Sequence, residues 1–290
     1  MKIAVQLFGH LRTFKQCSLS IKKYLLDVYN CDVFIHTWDE LEHSTKTWRN
    51  TSPTSNITDK DIEYMLNIYN PKKYLIEHQI NKNDEILSSF LIPPYRSIDI
   101  HSMKFMFYSM ESVNNLRRVY SIKNNIKYDW IIVTRPDIMF YNTIQINDII
   151  YQANILGLDL NKYRFFAYDI TDNNSNIKLL ISRVSDILFM GKEEVIDKYC
   201  SISKLLNKDF IQNHMLNIVS VYAAAEIKLG IIPTPISYVY KRDWENIIYS
   251  NIDNNILYNN NEKNNKRIII NNILNLIAWW IPIKKWRNNF

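Results

Sequence analysis

Residues 3–14 read IAVQLFGHLRTF. Ile3–Phe8 is an apolar run interrupted once, by Gln6, and Gly9, His10 and Arg12 break it. A short apolar run closed by a turn signal reads as a buried first strand followed by a loop. Residues 14–28 then carry Leu19, Tyr24, Leu25 and Val28 at helical spacing, with lysines between them. Residues 32–37, DVFIHT, form a second short strand that runs out into Trp38, Asp39 and Glu40. Strand, helix and strand in quick succession are the start of a βαβ unit, which lays parallel strands side by side.

The same alternation continues along the chain. Residues 43–58 are polar and hold Pro53, the composition of a loop. Residues 59–69 read as a helix stopped before Pro71, and 72–78 (KKYLIEH) as a third strand. The strongest helix spans 101–124, where Met103, Met106, Met110, Val113 and Tyr120 recur at three- and four-residue steps. It leads into residues 129–140, DWIIVTRPDIMF, an apolar strand whose end carries Thr134, Arg135, Pro136 and Asp137. Residues 164–170 and 186–191 are further strands, and 192–206 and 210–229 further helices, the last ended by Gly230. Residues 231–240 (IIPTPISYVY) are extended, and their two prolines predict an edge position, because proline has no N–H for a ladder. The order of elements predicts an α/β fold with a mostly parallel central sheet.

Composition narrows the function. The chain has 290 residues, room for one large domain or two small ones, and only four glycines. No Gly-rich dinucleotide fingerprint and no phosphate-binding P-loop is present. Cys17, Cys31 and Cys200 are far apart and lack Cys/His metal spacing, which argues against structural zinc or a disulfide framework. The net charge of +6 favours polyanionic partners but is modest and spread along the chain, and no nucleic-acid motif accompanies it. The N-terminus lacks the form of a signal peptide, and no stretch of roughly 20 uncharged apolar residues exists to span a bilayer. A cytoplasmic protein, peripheral to the inner face of the cell membrane, is expected.

In open α/β sheets, ligands sit beyond the carboxyl ends of the strands. Three polar clusters fall there. Gly9 lets backbone approach a ligand, and Arg12 can fork onto a phosphate. His36, Trp38 and Asp39 follow the second strand, with Trp38 able to stack on a base or sugar. Arg135 and Asp137 follow the strand at 129–133. Each alone is equally well an ordinary turn; their convergence is the signal. A carboxylate such as Asp137 can hold a divalent cation that neutralises a diphosphate. Asp186, before another apolar strand, can act as a general base toward a hydroxyl. On the helix at 210–229, His214 and Glu226 are twelve residues apart, about 120° around the axis, so they do not share a face. Each is a separate candidate on the acceptor side.

Residues 250–265 are Asn-rich and read as a linker. Beyond it, residues 266–290 gather Ile269, Ile270, Ile273, Ile277, Trp280 and Ile281 on one side of a helix. Lys284, Lys285, Trp286 and Arg287 follow. Such an amphipathic, basic-aromatic helix suits the surface of an anionic membrane, and docking on the domain is the other reading.

Taken in order, IAVQLFGHLRTF, CDVFIHTWD, MFYSMESVNNLRRVY, YDWIIVTRPDIMF and SDILFMG resemble bacterial glycosyltransferases of capsular polysaccharide and lipopolysaccharide loci. The resemblance covers about residues 1–245 and extends to the tail WWIPIKKWR. It implies a single GT-A-like (Rossmann-like) domain over 1–249 that moves a sugar from a nucleotide-diphosphate sugar donor to a hydroxyl. The acceptor would be a lipid-linked or oligosaccharide precursor of capsule, O-antigen or lipooligosaccharide. Phe8, Gly9, His10 and Arg12 would meet the nucleotide, flanked by His36, Trp38 and Asp39. Asp137 would stand where this type places the last Asp of its D-x-D metal motif. Here the first Asp is replaced by Arg135, giving R-P-D. Either Arg135 offsets the diphosphate charge itself, or Asp137 alone holds Mn2+ or Mg2+. Asp186 would be the acceptor-activating base of an inverting enzyme. The alternative is a non-catalytic, membrane-associated scaffold of a glycan assembly complex. Donor sugar, linkage and oligomeric state have no sequence signature.

Overall fold

The computed structural model describes residues 1–42, 55–78, 100–169, 186–207, 209–210 and 218–242. The polar stretch 43–54, His214, the Asn-rich linker and the amphipathic tail lie outside the described residues.

The elements alternate as the apolar periodicity demands. Strand β1 (Ile3–Phe8) is followed by α1 (Phe14–Ile21), a π-helical turn (Lys22–Leu26) and α2 (Asp27–Tyr29). Then come β2 (Asp32–Trp38), α3 (Asp59–Tyr69) and β3 (Lys73–Glu77). The long α4 (Ile100–Asn124) precedes β4 (Trp130–Thr134), a short β5 (Ile138–Phe140) and α5 (Ile146–Ile155). The chain continues through β6 (Tyr163–Asp169), β7 (Leu188–Gly191), α6 (Glu193–Cys200) and a 3-10 turn (Ser201–Lys204). It is described last through α7 (Ile218–Leu229) and β8 (Ile232–Arg242).

The strands form one eight-stranded sheet in the order β3-β2-β1-β4-β7-β6-β8-β5. Strands β1, β2, β3 and β4 run parallel. Strand β7 reverses between β4 and β6, β8 pairs parallel with β6, and β5 pairs antiparallel with the end of β8. The fold is therefore α/β with a mixed, mostly parallel sheet flanked by helices.

Every residue of β1, β2 and β4 is buried, as expected of parallel strands covered on both faces. Alternate side chains serve two cores. Ala4, Phe8, Phe34, Ile131 and Val133 pack with Phe107, Met110 and Val113 of α4 and with Tyr199 of α6. Ile3, Val5, Leu7, Val33, Ile35 and Ile132 pack with Phe14, Cys17 and Ile21 of α1 and Met65 of α3. This is the two-residue period of a strand read out on opposite faces.

Gln6, the polar residue within β1, is fully buried and donates from Nε2 to Asn114 Oδ1 at 2.8 Å. Asn114 donates in turn to Asp197 at 2.9 Å, and buried Arg117 bonds Glu193 and Asp197. That network fastens α4 and α6 to the sheet.

Three features depart from the sequence reading. Strand β5 and helix α5 were not anticipated; β5 is only three residues long, and no side-chain hydrogen bond caps the start of α5. Strand β8 is not at the end of the sheet, since β5 lies beyond it. Yet among the described residues β5 pairs only with Tyr240, Lys241 and Arg242, while Pro233 and Pro235 sit where β8 pairs with β6 alone. The missing N–H groups thus occupy a locally one-sided stretch, which is what the prolines require. No helix among the described residues is long and apolar enough to cross a membrane.

Candidate functional site

From β1 the chain moves outward to β2 and β3, then crosses back through α4 to β4 on the other side of β1. The connections leave β1 in opposite directions, so the carboxyl ends of β1 and β4 border a topological switch point, where open α/β sheets bind ligands. The loop after β1 holds Gly9, His10 and Arg12. The loop after β4 holds Arg135, Pro136 and Asp137.

These two loops meet through charge. Asp137 is completely buried. Arg135 Nε donates to Asp137 Oδ1 at 2.8 Å, and a second Arg135 nitrogen bonds Oδ2. The Nη1 of Arg12 reaches the same Oδ2 at 3.3 Å. Burial pushes the Asp137 carboxyl up, but the two guanidiniums more than reverse this, leaving it below the usual carboxylate range. Arg12 also bonds Glu42 through Nε. Both arginines keep a little solvent exposure, 14% and 15% of their side chains.

The local backbone explains how Arg12 gets there. Gly9 has φ +89°, and a Cβ on it would meet no described atom within 4 Å. Arg12 itself has φ +45°, a left-handed conformation uncommon for a non-glycine residue. Its N–H donates to Leu41 O at 2.9 Å, tying the loop to the end of β2. Leu11 is fully buried and anchors the loop from within.

The second cluster behaves differently from a solvent-facing ligand wall. His36 and Trp38 are buried, at 0% and 3% exposure. Trp38 is stacked on Tyr108 at 5.7 Å and meets His36 and Phe105 edge-on, so its faces serve packing. His10 is buried beside Trp38, with ring centroids 6.2 Å apart, and Phe8 is core. Any influence of these four side chains on a ligand passes through their neighbours. Asp39 is the exception: its side chain is partly exposed, and Oδ2 accepts from His78 Nδ1 at 2.9 Å.

Sequence reasoning missed four residues here. Glu77 ends β3 at the same edge and was within reach of the strand-end rule. Glu42, Tyr108 and Ser109 had no local signal. The last two come from α4, whose first half lies over the ends of β1 and β2.

Asp186 precedes β7, which runs antiparallel to β4 with Leu188 opposite Thr134. That register puts Asp186 at the same sheet edge as Asp137. The hydroxyl of buried Tyr222 donates to it. Glu226, by contrast, is fully buried on α7, where Arg164 Nε donates to its Oε1 at 2.6 Å. Burial raises the Glu226 carboxyl, and Arg164 offsets this only in part. Glu226 is therefore a core ion-pair member rather than a surface acceptor contact.

Among the described residues no group of three or more His, Cys, Asp or Glu side chains is placed to hold a metal ion. Both oxygens of Asp137 are taken by guanidinium groups, and two adjacent positive charges oppose a cation. The described residues thus do not fit Mn2+ or Mg2+ at Asp137. Three buried oxygens at this edge, Thr13 Oγ1, Asp39 Oδ1 and Thr134 Oγ1, have no hydrogen-bond partner among the described residues. Orphaned buried polar atoms are uncommon in folded proteins and call for a reason.

A scan against protein-family models gives no match to this chain, and a search of curated proteins gives none.

Proposed function

We propose that the chain is a nucleotide-sugar-dependent glycosyltransferase with a GT-A-like domain. It transfers a sugar from a nucleoside-diphosphate donor to a hydroxyl of a surface-glycan acceptor such as a capsule, O-antigen or lipooligosaccharide precursor. The observation that carries this reading is the convergence of Arg12 and Arg135 on buried Asp137 at the switch point of the sheet. Two guanidiniums held in place by a carboxylate form a preorganised receptor for a diphosphate, with forked donors matched to phosphate oxygens.

In the reaction, the bond between the sugar's anomeric carbon and the diphosphate oxygen breaks, and the acceptor oxygen bonds to that carbon. Charge builds on the departing diphosphate, and Arg12 and Arg135 stabilise it without reorganising. Asp186, at the same edge, takes the acceptor hydroxyl's proton if the transfer inverts configuration. In a retaining transfer Asp186 has no such part. The basic-aromatic stretch 266–290 would bring the enzyme to a lipid-linked acceptor on an anionic membrane.

Isothermal titration with UDP, GDP, CDP and CMP, in EDTA and again in Mn2+, tests the proposal. One nucleotide should bind, with an affinity that EDTA leaves within about threefold, a change under 1 kcal/mol. Binding to none of the four would sink the proposal.

A further inference from the structure

The N–H of Gly9 donates to Ser109 Oγ at 2.8 Å. Ser109 is fully buried on α4, and its Oγ lies 2.7 Å from His36 Nδ1. On the far side of the ring, His36 Nε2 is 2.7 Å from Glu77 Oε2. The hydroxyl of Tyr108 donates to the same carboxylate at 3.2 Å.

The donors in this chain can be assigned throughout. A carboxylate only accepts, so Nε2 carries the proton toward Glu77. Burial lowers the affinity of His36 for a second proton, and Glu77 only partly offsets it. In the neutral ring Nδ1 then accepts, and the Ser109 hydroxyl donates to it. The Ser109 oxygen is left to accept from Gly9. Among the described residues, the groups facing His36 are Glu77 from β3, Tyr108 and Ser109 from α4, and Trp38 from its own strand, with His10 beyond Trp38. None offers Ser109 a competing partner.

The chain ends on the residue that starts the arginine-bearing loop. Gly9 N is held by Ser109, and Arg12 N by Leu41 O. Between these points the backbone takes two positive-φ residues. Left-handed backbone at a non-glycine residue is unfavourable and persists only where its surroundings hold it.

We propose that Ser109 and His36 are positioning residues: they fix the Gly9 amide and so hold Arg12 over Asp137 for the diphosphate. They do not touch the ligand. Glu77 sets the His36 tautomer in which the Ser109 hydroxyl donates to Nδ1 while its oxygen accepts from Gly9. This rests on the proposed nucleoside-diphosphate site.

The test compares Ser109→Ala and Ser109→Thr with the wild-type full-length chain. Hydrogen exchange of the Gly9 amide is read against Val5 in β1, and titration uses the tightest-binding nucleoside diphosphate. Ser109→Ala should speed Gly9 exchange selectively and weaken the nucleotide about tenfold, the loss of one buried hydrogen bond. Ser109→Thr keeps the hydroxyl and should restore both to near wild type. Glu77→Ala, at the half-exposed end of the chain, should weaken binding in the same direction and serves if Ser109→Ala does not fold. If the wild type binds nucleotide and neither Ser109→Ala nor Glu77→Ala weakens it, the positioning role is overturned and the diphosphate site stands. If Ser109→Thr behaves like Ser109→Ala, packing rather than the hydroxyl matters, and the role is likewise overturned. If the wild type binds no nucleoside diphosphate, the site and the positioning role fall together.

Discussion

Asp137 carries its charge with no exposed surface because Arg135 and Arg12 surround it. A buried carboxylate of this kind cannot be judged as a surface ion pair, whose worth is small. Removing its charge takes the carboxylate from between two guanidiniums. Breaking a buried pair costs about 3–5 kcal/mol, and the slight exposure of both arginines points to the lower end. Asp137→Asn should therefore lower the unfolding free energy by about 3 kcal/mol in urea denaturation. A loss under about 0.5 kcal/mol would place Asp137 among ordinary surface residues instead. The sequence showed Asp137 at a strand end, but not that both of its oxygens are occupied. That occupancy depends on Arg12, 125 residues earlier, and no local pattern encodes so distant a pairing.

Among the elements, α3 shows how far local rules reach. Thr58 precedes the helix in extended backbone, its Oγ1 accepts from Asp61 N at 3.3 Å, and Asp61 Oδ2 accepts from Thr58 N at 2.8 Å. This reciprocal box satisfies two donors that a helix start otherwise leaves unpaired. Lys15 Nζ, 2.5 Å from Asp61 Oδ1, adds to it and helps draw the carboxyl down to about 2. Thr58→Ala should cost about 1 kcal/mol in thermal or urea unfolding and leave nucleotide affinity unchanged. An unchanged midpoint would mean the box contributes nothing. The bounds of β1 and α3 were readable because strong periodicity met clear stop signals, Gly9 in one case and Asn70 before Pro71 in the other. Strand β5 was not readable. Three residues carry too little pattern, and its partner is the far end of β8. Helix α4 was legible as a helix, yet its length concealed a division of labour. Asn114 and Arg117 fasten it to β1 and α6, while Tyr108 and Ser109 reach the site.

At the scale of the molecule, the proposed function rests on strand order. The reversal between β3 and β4 around β1 creates the switch point, and β7 running against β4 returns Asp186 to the same edge. The alternation of strands and helices was enough to expect an α/β sheet with ligand chemistry at its carboxyl edge. It did not reveal that Phe8, His10, His36 and Trp38 face inward, because strand-end residues can point either to solvent or to the next layer. An Arg135–Asp137 pair was legible only as an ordinary surface contact of the R-P-D turn; the structure buries it, which removes the cation as the natural partner of Asp137. The most direct test is a crystal structure of the full chain with a bound nucleoside diphosphate in the presence of Mn2+. The account predicts the diphosphate within hydrogen-bond reach of both Arg12 and Arg135, with no cation on Asp137. A nucleotide seated away from these arginines, or bridged to Asp137 by a metal ion, would contradict it.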